Sequence, residues 1–367
     1  MHHKKLIAAM VAVGVSMPAL AVADMTLYGR AHLSADILDD GADYNEFNVS
    51  SNSSRLGFKG ERQFADDLTA IFQIEQQIDF DDSGTEFATR DTFGGLKGDW
   101  GMLRVGKFDT PFKRARGPAN FFGDQVGDMR NLTRTNDHGR FDERFKNSIH
   151  YRSPSFNGLV GDIQYSVDNS GQSTAEDAEN RAVSTSLSFR NGPVNVVAAY
   201  ENQSIYRAEG SQSSFVVEPD GNVTSVTSDV EGFDYDAEAW RLAGSYQITP
   251  VFRLGALYQV TESTRGVEDQ EGKVYGLGGQ YKASPNVYLN AHWFTLDSDL
   301  DDNDASLYAI GLEYRMDSAL RFYGNIAVTD NDDNSSLTSW SAARSAGPGG
   351  AAGEKATAFS LGMRYDF

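Results

Sequence analysis

The chain lacks cysteine altogether, carries only nine prolines in 367 residues, and has far fewer cations than acids, 32 against 52. Past its first two dozen residues it also lacks any apolar run near the ~20 residues that a membrane helix needs. Each shortage excludes something. Without cysteine, no disulfide or thiolate metal site can hold the fold, and no other metal motif is present. A net charge of −20 repels phosphate backbones, and no basic helix or aromatic RNA motif offsets it, so nucleic acid is not an expected partner. A mean hydropathy of −0.45 agrees that no helix spans a membrane.

At the N-terminus, Lys4 and Lys5 precede the apolar run Leu6 to Val15, and small residues follow at Ala19, Ala21 and Ala23. That is the layout of a secretory signal peptide, expected over 1–23 with cleavage after Ala23, or after Ala21 as the alternative. Its removal takes away two lysines and no acids, so the charge of 24–367 falls from −20 to −22.

Regular alternation is what the chain has in abundance. In its last ten residues Phe359, Leu361, Met363, Tyr365 and Phe367 share one face, and Ser360, Gly362, Arg364 and Asp366 the other. Period two is the signature of a strand with one oily and one wet side. Leu27 to Ile37 repeats the pattern, as do Arg55–Glu61, Leu68–Asp79, Met102–Asp109, Leu159–Val167 and the segments from Trp240 onward. Connections alternate between short turns, four of them holding a proline (Pro154, Pro193, Pro250, Pro285), and long polar stretches such as 39–53, 110–147, 168–180, 201–238 and 330–355. Eight long and seven short connections give about sixteen strands, an even number. The expected fold is therefore all-β: an antiparallel transmembrane β-barrel over 24–367, with short periplasmic turns, long extracellular loops and a lumen too wide for side chains to fill. Outward aromatics near strand ends (Tyr151, Tyr165, Tyr200, Tyr246, Tyr258, Tyr281, Tyr314, Phe367) suit a belt at the lipid headgroups. A soluble sandwich is the rival, and it would have little use for so many similar hairpins.

The stretches LYGRAHL at Leu27, SRLGFKGERQF at Ser54, TFGGLKGDWGMLRVGKFDTPFKRA at Thr92, NSIHYRSPSFNGL at Asn147 and the terminal Phe367 resemble the general trimeric porins of Gram-negative outer membranes. The resemblance implies a water-filled barrel of sixteen strands, three to a complex, placed among outer-membrane lipid and lipopolysaccharide. It implies that Phe367 is read by the barrel-assembly machinery, and that the third loop, here within 110–147, folds inward. Phe121 and Phe122 would anchor that loop, with Gly123 and Gly127 permitting its bends. The family sets basic wall residues against acids on the loop. The matching wall positions are Arg30, Arg55, Arg90 and Arg144, with Lys59, Arg104, Lys107 and Arg152 as nearby lumen candidates. Arg90 shares parity with Leu96, which puts it inside only if its strand is irregular there. Where the family reads Pro-Glu-Phe-Gly-Gly, this chain has Ala119, Asn120, Phe121 or Phe122, Gly123 and Asp124, so Asp124 and Asp128 are taken as the acids by proximity.

The function so implied is passive diffusion of ions and small hydrophilic solutes through a charge-lined pore with no cofactor. A weak preference for cations is expected from the acidic balance. The alternatives are a sugar- or anion-specific channel, an adhesin, or a barrel enzyme. An enzyme is not expected, because none of His32, His138, His150 or His292 has a serine and an acid placed for a triad.

Overall fold

The computed structural model describes residues 24–367 except 82–86, 170–179, 208–209, 218–222, 231–232, 265–266, 268–269, 343 and 345–346; for 207–233 only backbone is described. The expected signal peptide lies outside the described residues. The strands are β1 (Asp24–Asp39), β2 (Asn45–Ser51), β3 (Arg55–Ala65), β4 (Leu68–Gln77), β5 (Thr92–Gly98), β6 (Gly101–Asp109), β7 (Arg144–Arg152), β8 (Leu159–Ser166), β9 (Ala182–Asn191), β10 (Val194–Arg207), β11 (Gly210–Val217), β12 (Val223–Val230), β13 (Phe233–Thr249), β14 (Phe252–Glu262), β15 (Gly272–Lys282), β16 (Val287–Ser298), β17 (Ala305–Arg315), β18 (Leu320–Asn331) and β19 (Ala356–Asp366).

Every wall strand pairs antiparallel with its neighbours in sequence, and β19 pairs with β1 from Arg30↔Asp366 to Asp39↔Thr357. The sheet is thereby closed. β2 and β3 lie end to end and both pair with β1, so 17 segments fill sixteen positions, while β11 and β12 form a separate hairpin. The seam is completed by Phe367, whose amide donates to Gly29 O at 3.0 Å while Gly29 N donates to Phe367 O at 2.8 Å. A Cβ on Gly29 would stand 2.4 Å from the Phe367 ring, so glycine there leaves room for the terminal aromatic.

Two segments that read as loops are strands. Residues 45–51 pair with the upper half of β1, and the break falls only at 52–54, where Ser53 has φ 56°. Likewise Glu201–Arg207 and 233–238 continue β10 and β13, paired from Glu201↔Ala239 to Arg207↔Phe233. Both stretches lack a continuous apolar face, so the two-residue hydrophobic period does not mark them, yet their backbones complete the ladder regardless.

The alternation otherwise turns out as read. Leu27, Phe58, Leu96, Leu187, Leu242, Tyr258, Ile310 and Leu361 are exposed on the outside, and similar side chains stand on nearly every strand. So large an apolar skin is the mark of a lipid-facing surface. Buried apolar side chains gather instead inside, on one wall. Val197, Ala199, Ala239, Leu257, Phe294, Leu307, Ala309 and Ala327 of β10 and β13 to β18 meet Phe112, Phe121, Phe122, Met129, Leu132 and Phe141 of the third loop. The opposite wall, β1 to β7, is polar and basic. This division fixes where the loop lies.

Candidate functional site

The third loop enters the lumen through a capped turn. Thr110 Oγ1 accepts from Lys113 N at 3.1 Å, and Pro111 opens the one-turn helix Pro111–Ala115 at a position where its missing N–H costs nothing. Phe112 N donates to Ser184 Oγ at 3.0 Å, and the Arg241 guanidinium lies 4.0 Å from the Phe112 ring. Arg241 also pairs with Asp142 at 2.6 Å, which ties the returning limb of the loop to β13. At the tip, Phe122 is fully buried beside His292, with ring centroids 4.6 Å apart. Gly127, at φ +86°, comes so close to the wall that a Cβ would stand 2.6 Å from Ala309 Cβ. The eighth loop folds in as well. Ser339 O accepts from Gly127 N at 2.7 Å, Trp340 is fully buried, and Arg344 reaches Asp36 at 2.7 Å.

The tip brings Asp124 to the opposite wall, 3.2 Å from Arg30 and 3.6 Å from Arg55. Asp128 does something else. It is fully buried within the loop, accepting from Asn120 Nδ2 and Asp124 N at 2.8 Å each and from Arg130 N at 3.0 Å. It shapes the elbow and does not line the lumen, so its assignment as a second constriction acid is corrected. Burial against the nearby charge of Asp124 raises its carboxyl above the ordinary range.

On the wall, Arg30 also pairs with Asp366 at 2.7 Å, Arg55 with Glu75 at 3.7 Å, and Arg144 with Asp91 at 2.7 Å and Asp109 at 3.0 Å. Arg90 pairs with Glu75 at 2.6 Å and is buried inside the barrel. Its parity with Leu96 has no bearing, because β5 begins only at Thr92. Lys59 sits on the lumen face 5.1 Å from the Tyr28 ring, and Arg152 lies 3.7 Å from Asp162. Arg104 is sandwiched between the Phe93 and Phe108 rings at 4.6 and 3.9 Å and donates to His150 Nδ1. Lys107 departs from expectation. It pairs with Thr92, two registers from Gly94↔Val105, and directly opposed residues share a face. That face is the outer one, carrying exposed Leu96 and Leu103. The bulge between Gly106 and Phe108 follows immediately.

Between the loop and the wall of β1 to β7 remains a space of about 300 Å³. Arg30, Arg55, Arg90, Lys113, Arg116, Arg130, Arg144 and Arg344 line it, against the two carboxylates Asp109 and Asp124. Glu75 and Asp91 do not line it; they hold the wall cations from behind, and Asp128 stays within the loop. Glu75, Lys113, Arg116, Arg130 and Arg344 were not singled out from the sequence. Lys113 to Arg116 could have been, since KRAR at the start of an infolding loop places charge in the lumen.

Burial pushes the Asp124 carboxyl up, but Arg55 and Arg30 outweigh it and hold the group well below the usual carboxylate range. A depressed carboxyl pKa stabilises the folded clamp fully above the unfolded value near 4, and that contribution is lost only as pH falls through the folded value. Asp124→Asn is therefore expected to alter single-channel conductance already at neutral pH, whereas the unaltered protein should keep its conductance through about pH 4 and reach that state only well below it, where the folded carboxyl itself takes up a proton. A pH series on both channels checks this. Coincident behaviour at neutral pH would contradict the clamp.

Comparison with known proteins agrees with the geometry. The family model described as Gram-negative porin matches residues 8–334. The chain is 26% identical over 328 residues to the major outer membrane protein P.IB of Neisseria gonorrhoeae, covering 82% of this chain and 86% of that one. It is 25% identical over 378 residues to outer membrane porin protein 32 of Delftia acidovorans, covering 99% and 100%. Among solved structures, an anion-selective porin from Comamonas acidovorans superposes with a TM-score of 0.79 at 22% identity, covering 94% of this chain and all of the other. A closed barrel of sixteen strand positions, oily outside, basic inside and narrowed by its third loop, thus belongs to the Gram-negative porin family: it is a passive channel of the outer membrane.

Proposed function

We propose that this porin favours small hydrophilic anions, and that Arg30, Arg55, Arg90, Arg144 and the loop cations Lys113, Arg116 and Arg130 make the selection where the third loop narrows the lumen. The observation that carries the reading is the lining of that space by eight cations and two carboxylates. A weak preference for cations follows from the net charge of the whole chain, but much of the acid lies in loops and strand ends such as Asp299–Asp304 and Asp330–Asp333, toward the rim. Rim charges act across water and are screened within about 8–10 Å at ordinary ionic strength. Charges lining a narrow section act on a partly desolvated ion at contact distance. The inner set therefore decides.

An anion is passed between guanidinium groups already held apart by Glu75, Asp91 and Asp109, so little reorganisation accompanies transit. Polar solutes exchange hydration for these side chains, and apolar solutes cannot. We further propose that 1–23 is a cleaved signal peptide, that the protein works as a homotrimer with one pore per chain, and that Phe367 serves recognition during assembly. The homotrimer reading draws on the resemblance to trimeric porins. No catalytic step belongs to this reading: the lumen histidines are wall residues, His32 on Tyr323, His150 on Asp162 and His292 under Phe122. Purified protein in a planar bilayer under a potassium chloride gradient is the test. A reversal potential of the chloride sign is expected, with conductance closing in steps of three; a potassium sign would overturn the selectivity.

A further inference from the structure

Below the helix Pro111–Ala115 a second space, about 660 Å³, opens toward the short-turn rim between the loop and β7 to β10 and β14. Four guanidinium groups line it: Arg114 from the loop, Arg152 from β7, Arg190 from β9 and Arg253 from β14. Asp162 is the one carboxylate in that lining, and it is already engaged. His150 Nε2 lies 2.8 Å from it, Arg114 3.2 Å and Arg152 3.7 Å. Among the described residues no carboxylate forms an ion pair with Arg190 or Arg253. Buried Nε atoms of Arg114 and Arg253 have no hydrogen-bond partner there either. Arg253 rests on the Phe121 ring at 4.9 Å, which fixes the plane of its fork.

Four planar donor forks facing one space, with a single occupied acceptor, leave a site short of negative charge. Guanidinium recognises two oxygens at once, so tetrahedral oxyanions match it better than a halide, which offers no second atom to the fork. We propose that this chamber is a binding subsite for phosphate-type oxyanions, inorganic phosphate or the phosphate group of a small ester, which hold there after passing the loop. The proposal extends the anion preference argued above but does not share its residues, since none of these four arginines lines the narrower space.

The test is block of chloride current by inorganic phosphate in a planar bilayer, with each side dosed separately. Current should fall saturably with phosphate. Arg190→Gln with Arg253→Gln should weaken the apparent affinity about tenfold or more, as loss of charge-assisted bonds implies, and leave the sign of the reversal potential in potassium chloride unchanged. Arg190→Gln alone, on an exposed residue away from the loop, keeps the test open if the Arg253 change unseats Phe121; it should weaken block in the same direction. Block that is unsaturable, or equal in all variants, overturns the subsite. A potassium-sign reversal potential in the unaltered protein would instead overturn the anion preference, and the two failures are read separately. Sulfate should compete and acetate should do so more weakly; equal competition by acetate would count against tetrahedral recognition.

Discussion

Replacing Arg55 and Arg130 together by glutamine is expected to lower the chloride-to-potassium permeability ratio about ten- to a hundredfold. Both residues line the narrow space, Arg55 from β3 and Arg130 from the loop. A unit charge 4 Å away is worth about 1 kcal/mol in bulk water and several times that where the effective dielectric is lower. It acts with opposite sign on anion and cation, so each removal counts twice in the ratio, and every 1.4 kcal/mol is a factor of about ten. Glutamine is shorter but stays polar and able to hydrogen-bond, and the strand ladders do not depend on either side chain, so the barrel should assemble normally. Arg62→Gln, on the outer face near Phe64, removes one such charge outside the lumen and should leave the ratio alone. Reversal potentials of the three proteins under one salt gradient make the comparison. Equal shifts in the lumen and outer-face variants would mean that only overall charge matters.

Phe122→Ala carries the second large effect, on the loop and not on the barrel. Phe122 is fully buried, and it stands so near the wall that a Cβ on Gly311 would come within 2.9 Å of its ring. Truncating a buried phenylalanine costs about 3–5 kcal/mol. That is comparable to what holds a single loop elbow in place, whereas the wall is a continuous ladder closed from β1 to β19. The expected result is a channel that still migrates as a folded barrel on unheated gels but shows frequent excursions to higher conductance. Phe121→Ala should do less, because that ring is packed against Arg253 and leaves the tip contact intact. A quiet channel of unchanged conductance would show that the loop is held elsewhere.

Much of this was legible in the residues. The wall was, because lipid outside and water inside force a two-residue period on nearly every strand, and the lumen parity of Arg30, Arg55 and Arg152 followed from it. The period failed where neither solvent imposes it. Asn45–Ser51 and Glu201–Arg207 are strands by backbone pairing alone, and Lys107 stands beside a bulge. The inward loop followed from resemblance and length, but its wiring did not. Nothing local to Asp128 says that its carboxylate is turned back onto Asn120 and Arg130, and nothing in the eighth loop says that Trp340 is swallowed or that Arg344 reaches Asp36. The eighth-loop contacts join residues more than two hundred positions apart, as between Asn131 and Ala342, and alternation carries no information on such pairs, nor on the turn of Asp128 within its own loop.

Because the chain has no cysteine of its own, one introduced thiol can report directly on the narrow space. Gln77 lines it among the cations. In Gln77→Cys channels, a negatively charged thiosulfonate reagent should react faster than a positively charged one of equal size, and each reaction should cut the current by a discrete step. Equal rates, or reaction that leaves the current untouched, would mean that the ions travel by another route.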